Sequence, residues 1–521
     1  MNFRRDDAIK AVKSTTEWDI TIIGGGATGL GIAVDAASRG YKTLLVEKHD
    51  FANGTSSKST KLVHGGVRYL ANGDVKLVYS ALKERGLIFQ NAPHVSFVQS
   101  FVIPSYSWFN KLKFLIGLKL YDWMAGSLRI GKSVLLSKDQ VVEKLPHIKT
   151  KKLIGGVQYF DGQFDDARLA INLAQTASEY GATLINYSDV IEISKNESGQ
   201  VNGLTFRDRE SQESHTVKSK SVINATGIFV DDILKLDTPT HKNLVRPSQG
   251  AHIVVDKHFL GNVDALMIPE TSDGRVLFGV PWHDKVLLGT TDTPIDAHQI
   301  EPRPLEEEIN FILTTAQQYL ENAPTRKDIL SIFAGLRPLA APTNGDGNST
   351  KEISRDHKLI KSDSNLITIT GGKWTTYRKM GEETVDLCVK TTGLAAKPCK
   401  TTHLAIHGST TIKNEGHWQV YGSDLPHIQA LMRDQPELAE KLHENYDFRL
   451  AEVVWSCQAE MVVKLADFMA RRIRFLLLDA HASLAAAPKV AQVMAQQLGK
   501  DDQWIAKELN DYTTLVKNYT I

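Results

Sequence analysis

The stretch from Asp19 to Lys48, DITIIGGGATGLGIAVDAASRGYKTLLVEK, constrains the fold more than any other part of the chain. The apolar run Ile20, Ile22, Ile23 leads into Gly24-Gly25-Gly26-Ala27-Thr28-Gly29. A small-residue helical pattern follows, then a second apolar run that ends at Glu47. This pattern predicts one βαβ unit of a parallel sheet. Gly24 allows a tight turn out of the strand, Gly26 lets backbone amides approach a pyrophosphate, and Gly29 lets the helix pack on the sheet. The helix amides and its positive dipole end then face phosphates. Glu47 stands where an acidic side chain accepts hydrogen bonds from a ribose 2′-hydroxyl. Strand, glycines, helix, second strand and acid occur in register, so the unit reads as a nucleotide site rather than an accidental glycine turn.

A chain of 521 residues is long enough for two or three domains. Its 61 Lys and Arg balance 60 Asp and Glu, so no global charge recruits nucleic acid, and any electrostatic function is local. The first residues lack the apolar region of a secretory signal. The cysteines Cys388, Cys399 and Cys457 form no C-x-x-C pair, which fits a reducing compartment and argues against a zinc site or a disulfide framework. No stretch offers the roughly 20 apolar residues of a membrane span. Lys111 to Met124, KLKFLIGLKLYDWM, has two readings: a half-buried helix under a domain surface, or a helix lying in a membrane interface.

Beyond Glu47, a loop rich in Gly, Ser and Thr is expected to lie over the nucleotide. It supplies hydroxyls at Thr55, Ser56 and Ser57, a close-approach backbone at His64-Gly65-Gly66, and then Arg68 and Tyr69. Asp165 or Asp166 is a plausible N-cap for a helix up to Tyr180. The strand exit Asn224-Ala225-Thr226-Gly227 is expected to return beside the first unit and cover the nucleotide. From Leu244, the runs VRPSQGAHIVV, DGRVLFGVPW and DKVLLGTTD predict an antiparallel second domain facing a substrate. Arg337 and Arg355, each in an uncharged neighbourhood, suit a joint anion site. Gly371-Gly372-Lys373-Trp374-Thr375 repeats the opening logic of strand, paired glycines and helix. After Thr410 helical patterns dominate, including PELAEKLHENY; the cluster Arg471, Arg472, Arg474 reads as a solvated or salt-bridged helix face without chemistry.

Together GGGATG with Glu47, TSSKSTKLVHGGVRY, VINATG, GLRP, ISRD and GGKWTTYRKM resemble the FAD-dependent glycerol-3-phosphate dehydrogenases over essentially the whole chain. The resemblance implies an α/β fold: a Rossmann-like FAD-binding domain (1–90, 150–240 and 355–400), an antiparallel substrate domain (91–149 and 241–354) and a helical C-terminal domain (401–521). It implies FAD as cofactor, held by Gly24, Gly26, Gly29, Glu47, Ser56, Ser57, His64, Gly65, Ala225, Gly227, Gly372, Lys373 and Thr375. It implies oxidation of glycerol 3-phosphate at C2, with Arg68, Tyr69, His252, Arg337, Arg355 and Lys373 around the substrate. His252 is the first candidate base, with Tyr69 or His64 as alternatives. Further implications are quinone as electron acceptor, a homodimer, and a cytoplasmic enzyme held peripherally on the inner face of the cell membrane. An oxygen-using oxidase, an amino-acid or amine oxidase of the same fold, and a non-catalytic flavoprotein are the competing readings. The residues ahead of Trp18 have no counterpart in these motifs.

Overall fold

A computed structural model of the chain describes residues 3–67, 70, 74–271, 274–296, 298–340 and 357–521. Arg68, Tyr69 and Arg355 lie outside the described residues. The opening unit forms as its pattern requires. Trp18–Ile23 runs parallel to Thr43–Val46 on one side and to Ser214–Asn224 on the other, so strands far apart in sequence become neighbours. The sheet continues through Ile367–Thr370 at one end and Thr183–Ile185 at the other. Its central strands are covered on both faces, and Ile20, Ile22, Leu44 and Leu45 are completely buried. Each such side chain contributes roughly 1.5–3 kcal/mol.

The helix Ala27–Ser38 starts directly above the glycine turn. A Cβ on Gly29 would lie 1.8 Å from the carbonyl oxygen of Gly24, so only glycine lets the helix sit this close to the strand end. Two further helices, Asp166–Glu179 and Tyr377–Thr392, pack beside it. Asp165 caps the first of these, accepting from the Arg168 amide at 3.0 Å. The segment ahead of Trp18 is also structured. Its helix Arg5–Ser14 packs along the edge strand Thr183–Ile185, buries Ala8 and Val12, and is pinned by Arg5 to Asp208 at 2.6 Å.

The second sheet is largely antiparallel, as expected. Its longest pair, Val245–Asp256 and Ile329–Ala340, runs in register from Val245 opposite Ala340 to Val254 opposite Ser331, with a shift before Val255 opposite Ile329. Two strands placed with the nucleotide domain by the sequence boundaries belong here instead. Gly155–Phe164 pairs along its whole length with Ser96–Ser105, and Leu62–Val63 pairs with Gly155–Phe164. Backbone pairing partners, invisible in a local apolar pattern, decide this.

In the C-terminal part, Leu450–Ala459, Ala480–Leu498 and Asp502–Val516 are helices. PELAEKLHENY is not the expected helix. It forms a short 3-10 turn, Pro436–Ala439, and then the first strand of a hairpin, Lys441–His443 with Tyr446–Arg449. The hairpin sets Tyr446 and Phe448 against Phe475, with ring centroids 4.6 and 5.3 Å away, and this packing overrides helix propensity. Arg471, Arg472 and Arg474 are not solvated: all are buried and salt-bridged to carboxylates, many from distant segments. Arg471 Nε and Arg472 Nη1 donate to Asp50 at 2.6 and 2.8 Å, and Arg474 Nη2 donates to Asp166 at 2.9 Å. These pairs tie the helical part to the loop after Glu47 and to the start of the helix Asp166–Glu179.

Candidate functional site

A cavity of about 880 Å³ runs between the two sheets, within the 300–1,000 Å³ typical of small-molecule sites. One end is the glycine turn. Gly24 has φ +106°, a conformation that favours glycine, and Gly26, Ala27 and Thr28 at the helix N-terminus line the cavity. Ser56 Oγ accepts from the Ala27 amide at 2.9 Å. Glu47 accepts from the amides of Gly25 and His49 at 2.6 and 2.8 Å, and burial raises its carboxyl above the usual carboxylate range. Each carboxylate oxygen keeps a further acceptor site for a ribose hydroxyl. Ala225 and Gly227 also line the cavity, and Trp374 Nε1 donates to the Ser56 carbonyl at 2.8 Å, tying the turn at Gly371-Gly372 to the loop whose Ser56 Oγ holds the Ala27 amide.

The other end is cationic and polar. Arg337 Nη2 donates to Thr290 Oγ1 at 3.1 Å, and Nη1 lies 3.3 Å from Asp292 Oδ1 and 3.4 Å from the Gln249 carbonyl. Asp292 also accepts from Ser248 Oγ. The guanidinium occupies space that exists because residue 250 is glycine: a Cβ there would lie 2.4 Å from Nη2. Lys373 and Arg275 share the wall. His252 projects from the strand Val245–Asp256, only 2% exposed, with its ring stacked on Phe333 and Nε2 3.0 Å from Thr60 Oγ1. Burial, with Lys61 and Arg337 nearby, holds its pKa well below the ordinary histidine value, so it is a neutral imidazole.

The structure thus gathers Gly24, Gly26, Glu47, Ser56, His64, Ala225, Gly227, His252, Arg337, Gly372, Lys373 and Thr375 on one wall system. His64 is half-buried, burial lowers its pKa, and its amide donates to Thr375 Oγ1 at 3.2 Å. Three expected residues are not on the wall. Gly29 serves packing, the Ser57 hydroxyl turns back to the Gly54 carbonyl, and the Gly65 amide donates to Tyr121 Oη at 2.7 Å, away from the cavity. Arg275, Thr290, Asp292 and Thr60 were not singled out by sequence reasoning. Thr290 and Asp292 meet Arg337, and Thr60 meets His252, from segments outside the strands and distant in sequence, and a hydroxyl in a Ser- and Thr-rich loop carries no local signal.

The turn, the acid and the elongated cavity fit an FAD, with its adenosine and pyrophosphate toward Glu47 and Gly26. A family model described as FAD dependent oxidoreductase matches residues 19–387, and one described as C-terminal domain of alpha-glycerophosphate oxidase matches residues 367–505. The mitochondrial glycerol-3-phosphate dehydrogenase of Schizosaccharomyces pombe is 37% identical over 98% of this chain and 89% of its own length. The human mitochondrial enzyme is 38% identical over 96% of this chain and 73% of its own. The glycerol-3-phosphate dehydrogenase of Bacillus halodurans, solved with FAD, superposes with a TM-score of 0.81 at 30% identity, covering 99% of this chain and 97% of its own. Glycine oxidase from Geobacillus kaustophilus shares the fold, with a TM-score of 0.54 at 19% identity over 77% of this chain and 100% of its own. A full-length match in sequence and in structure, over both the flavin body and the C-terminal part, places the chain in the FAD-dependent glycerol-3-phosphate dehydrogenase family.

Proposed function

We propose that the protein oxidises sn-glycerol 3-phosphate at C2 to dihydroxyacetone phosphate and passes the electrons to a membrane quinone. The observation that carries this reading is the pairing, at one end of the flavin cavity, of a cationic group with a buried neutral imidazole. FAD supplies the hydride acceptor. Arg337, with Lys373 and Arg275 on the same wall, offers cations to the phosphate dianion, each charge-assisted bond contributing about 1.5–3 kcal/mol. Asp292 and Thr290 aim the guanidinium. His252, being neutral, accepts the proton of the C2 hydroxyl, and the cations favour the negative charge that develops on that oxygen. Arg68, Tyr69 and Arg355 join the substrate set by motif likeness. The test is anaerobic addition of glycerol 3-phosphate to the purified holoenzyme. Bleaching of the oxidised flavin spectrum is expected; an unchanged spectrum under excess substrate overturns the reading, and a response to amino acids instead supports the amine-oxidase alternative.

A bilayer-dissolved acceptor is favoured by the helix Trp108–Met124. One face carries Trp108, Phe109, Leu112, Ile116, Leu120 and Trp123, with the two tryptophans 71% and 77% exposed, while Leu118 and Tyr121 of the opposite face are buried. Among the described residues no helix is long and apolar enough to cross a membrane. A stripe ending in tryptophans, with Lys113 and Lys119 exposed beside it, suits a helix lying in a lipid interface. The buried face fits a half-buried helix, and the exposed face supports the lipid-interface reading. Reoxidation of the reduced flavin by a quinone, with anionic vesicles present and absent, tests this. Faster reoxidation by oxygen than by quinone on vesicles overturns it in favour of an oxidase. The expected homodimer is tested by sedimentation of the detergent-solubilised enzyme.

A further inference from the structure

His252 has one nitrogen that a substrate proton can reach. Its ring stacks on Phe333 at 4.9 Å and 19°, and on the neighbouring strand a Cβ at Gly289 would lie 2.3 Å from its Cδ2. The imidazole is thus held in one orientation between two strands. Nδ1 is buried with no hydrogen-bond partner among the described residues. His252 and Thr60 both line the cavity, and Nε2 is the nitrogen that meets Thr60 Oγ1, 3.0 Å away.

The backbone around Thr60 is built to keep it there. Lys61 has φ +62°, a left-handed conformation that a residue with a side chain adopts when its surroundings impose it. Asp166 imposes it: Oδ2 accepts from the Ser59 amide at 3.1 Å, from Ser59 Oγ at 2.7 Å and from Lys61 Nζ at 2.7 Å. Lys61 Nζ also donates to the Ser57 carbonyl at 2.7 Å. The residues on both sides of Thr60 are tied to one buried carboxylate, and its hydroxyl is left directed at the imidazole.

We propose that Thr60 relays the substrate proton to His252. The relay rests on the functional reading above. A threonine hydroxyl has one donor and two acceptor sites. With Nδ1 protonated, Oγ1–H donates to Nε2 and offers a lone pair to the C2 hydroxyl; the other tautomer has no lone pair at Nε2 and takes up no proton. As the C2–H electron pair departs as hydride to FAD, the C2 hydroxyl O–H bond breaks and its electron pair becomes the π bond of the new carbonyl. The released proton bonds to Oγ1 while the original Oγ1 proton bonds to Nε2. The imidazolium returns its proton to water after product leaves.

The experiment follows anaerobic flavin bleaching by glycerol 3-phosphate in H₂O and D₂O mixtures for the wild-type holoenzyme, Thr60→Val and Thr60→Ser. FAD content and the binding of dihydroxyacetone phosphate, read from flavin difference spectra, are measured on each. The wild-type rate is expected to bow with deuterium fraction, as two protons move together. Thr60→Val is expected to slow bleaching by about 10²–10⁴-fold while keeping its FAD and product affinity, and Thr60→Ser to restore most of the rate. A linear deuterium dependence in the wild type overturns the relay, as does a Val variant within about threefold of wild type, against the loss expected of a lost acid–base partner. A Ser variant as slow as Val also overturns it, assigning the loss to packing. If Thr60→Val does not retain FAD, the wild-type deuterium dependence and the Ser variant decide. Wild-type enzyme that the substrate does not reduce overturns the functional reading and the relay together, whereas normal reduction with a linear dependence overturns the relay alone.

Discussion

Replacing Asp50 by Asn should loosen the helical C-terminal part from the flavin body. Asp50 is completely buried and accepts from Arg471 Nε at 2.6 Å and from Arg472 Nη1 and Nη2 at 2.8 and 3.0 Å. Burial opposes its ionisation, yet the Arg472 and Arg471 guanidiniums prevail and hold its carboxyl below the usual range. Asparagine keeps the volume but removes the charge, so two guanidiniums lose the anion they share. Breaking a buried pair on one side costs about 3–5 kcal/mol, about a fifth or more of a typical total stability of 5–15 kcal/mol. Asp50→Asn combined with Arg472→Met also removes one of the abandoned cations, while Arg471 retains Asp467 at 2.6 Å. At least half of the loss should therefore return in the double variant. Urea unfolding followed by tryptophan fluorescence, which reads Trp455 and Trp504 in the helical part, measures both. A loss below about 1 kcal/mol for the single variant, or a double variant equal to the sum of its singles, would refute the claim that these ions act as a buried unit.

Arg337→Ala should lower kcat/KM for glycerol 3-phosphate by about 10- to 150-fold, from one or more charge-assisted bonds. The preference over glycerol should shrink in parallel; a preference that stays intact shows that Arg337 does not read the phosphate. His407 donates to Asp424 and Glu179 at 2.9 and 2.7 Å, and these partners outweigh burial and lift its pKa from 6.5 to about 9. Its protonated form is stabilised by the fold, so the contribution is complete below pH 6.5 and is lost as pH rises through about 9, amounting to roughly 2–3 kcal/mol. His94 lies nearby, its own pKa lowered to about 4 chiefly by burial, and stays neutral across that window. His407→Gln should flatten the stability profile between these pH values, and an unchanged slope in thermal melts counts against this account. Gly29→Ala would set a Cβ 1.8 Å from the Gly24 oxygen, so the purified variant should lose bound FAD and melt earlier; full flavin content would contradict the packing role.

Much of the site was legible where local chemistry and local geometry coincide. The glycine turn at residue 24, its acid at Glu47, the strand exit at Ala225 and the paired glycines at 371 and 372 each require a short stretch of chain with a defined shape. Their residues therefore announce that shape. Arg337 was legible as a residue type, whereas His252 entered only through the family likeness, which also supplied their company.

The sequence by itself determined the parallel nucleotide-binding unit and an antiparallel companion sheet, because period and glycine spacing act within a few residues; only the family likeness chose FAD among dinucleotides. Tertiary structure decided what depends on partners distant along the chain. Pairing with Ser96–Ser105 moved Gly155–Phe164 into the second sheet, and Phe475 turned a helix-like stretch into a hairpin. Asp50 and Asp166 turned three arginines from an apparent surface into an interior. The same carboxylate of Asp166 places Thr60 against His252. Burial and charge pairing are properties of the folded assembly, and no stretch of residues carries them alone.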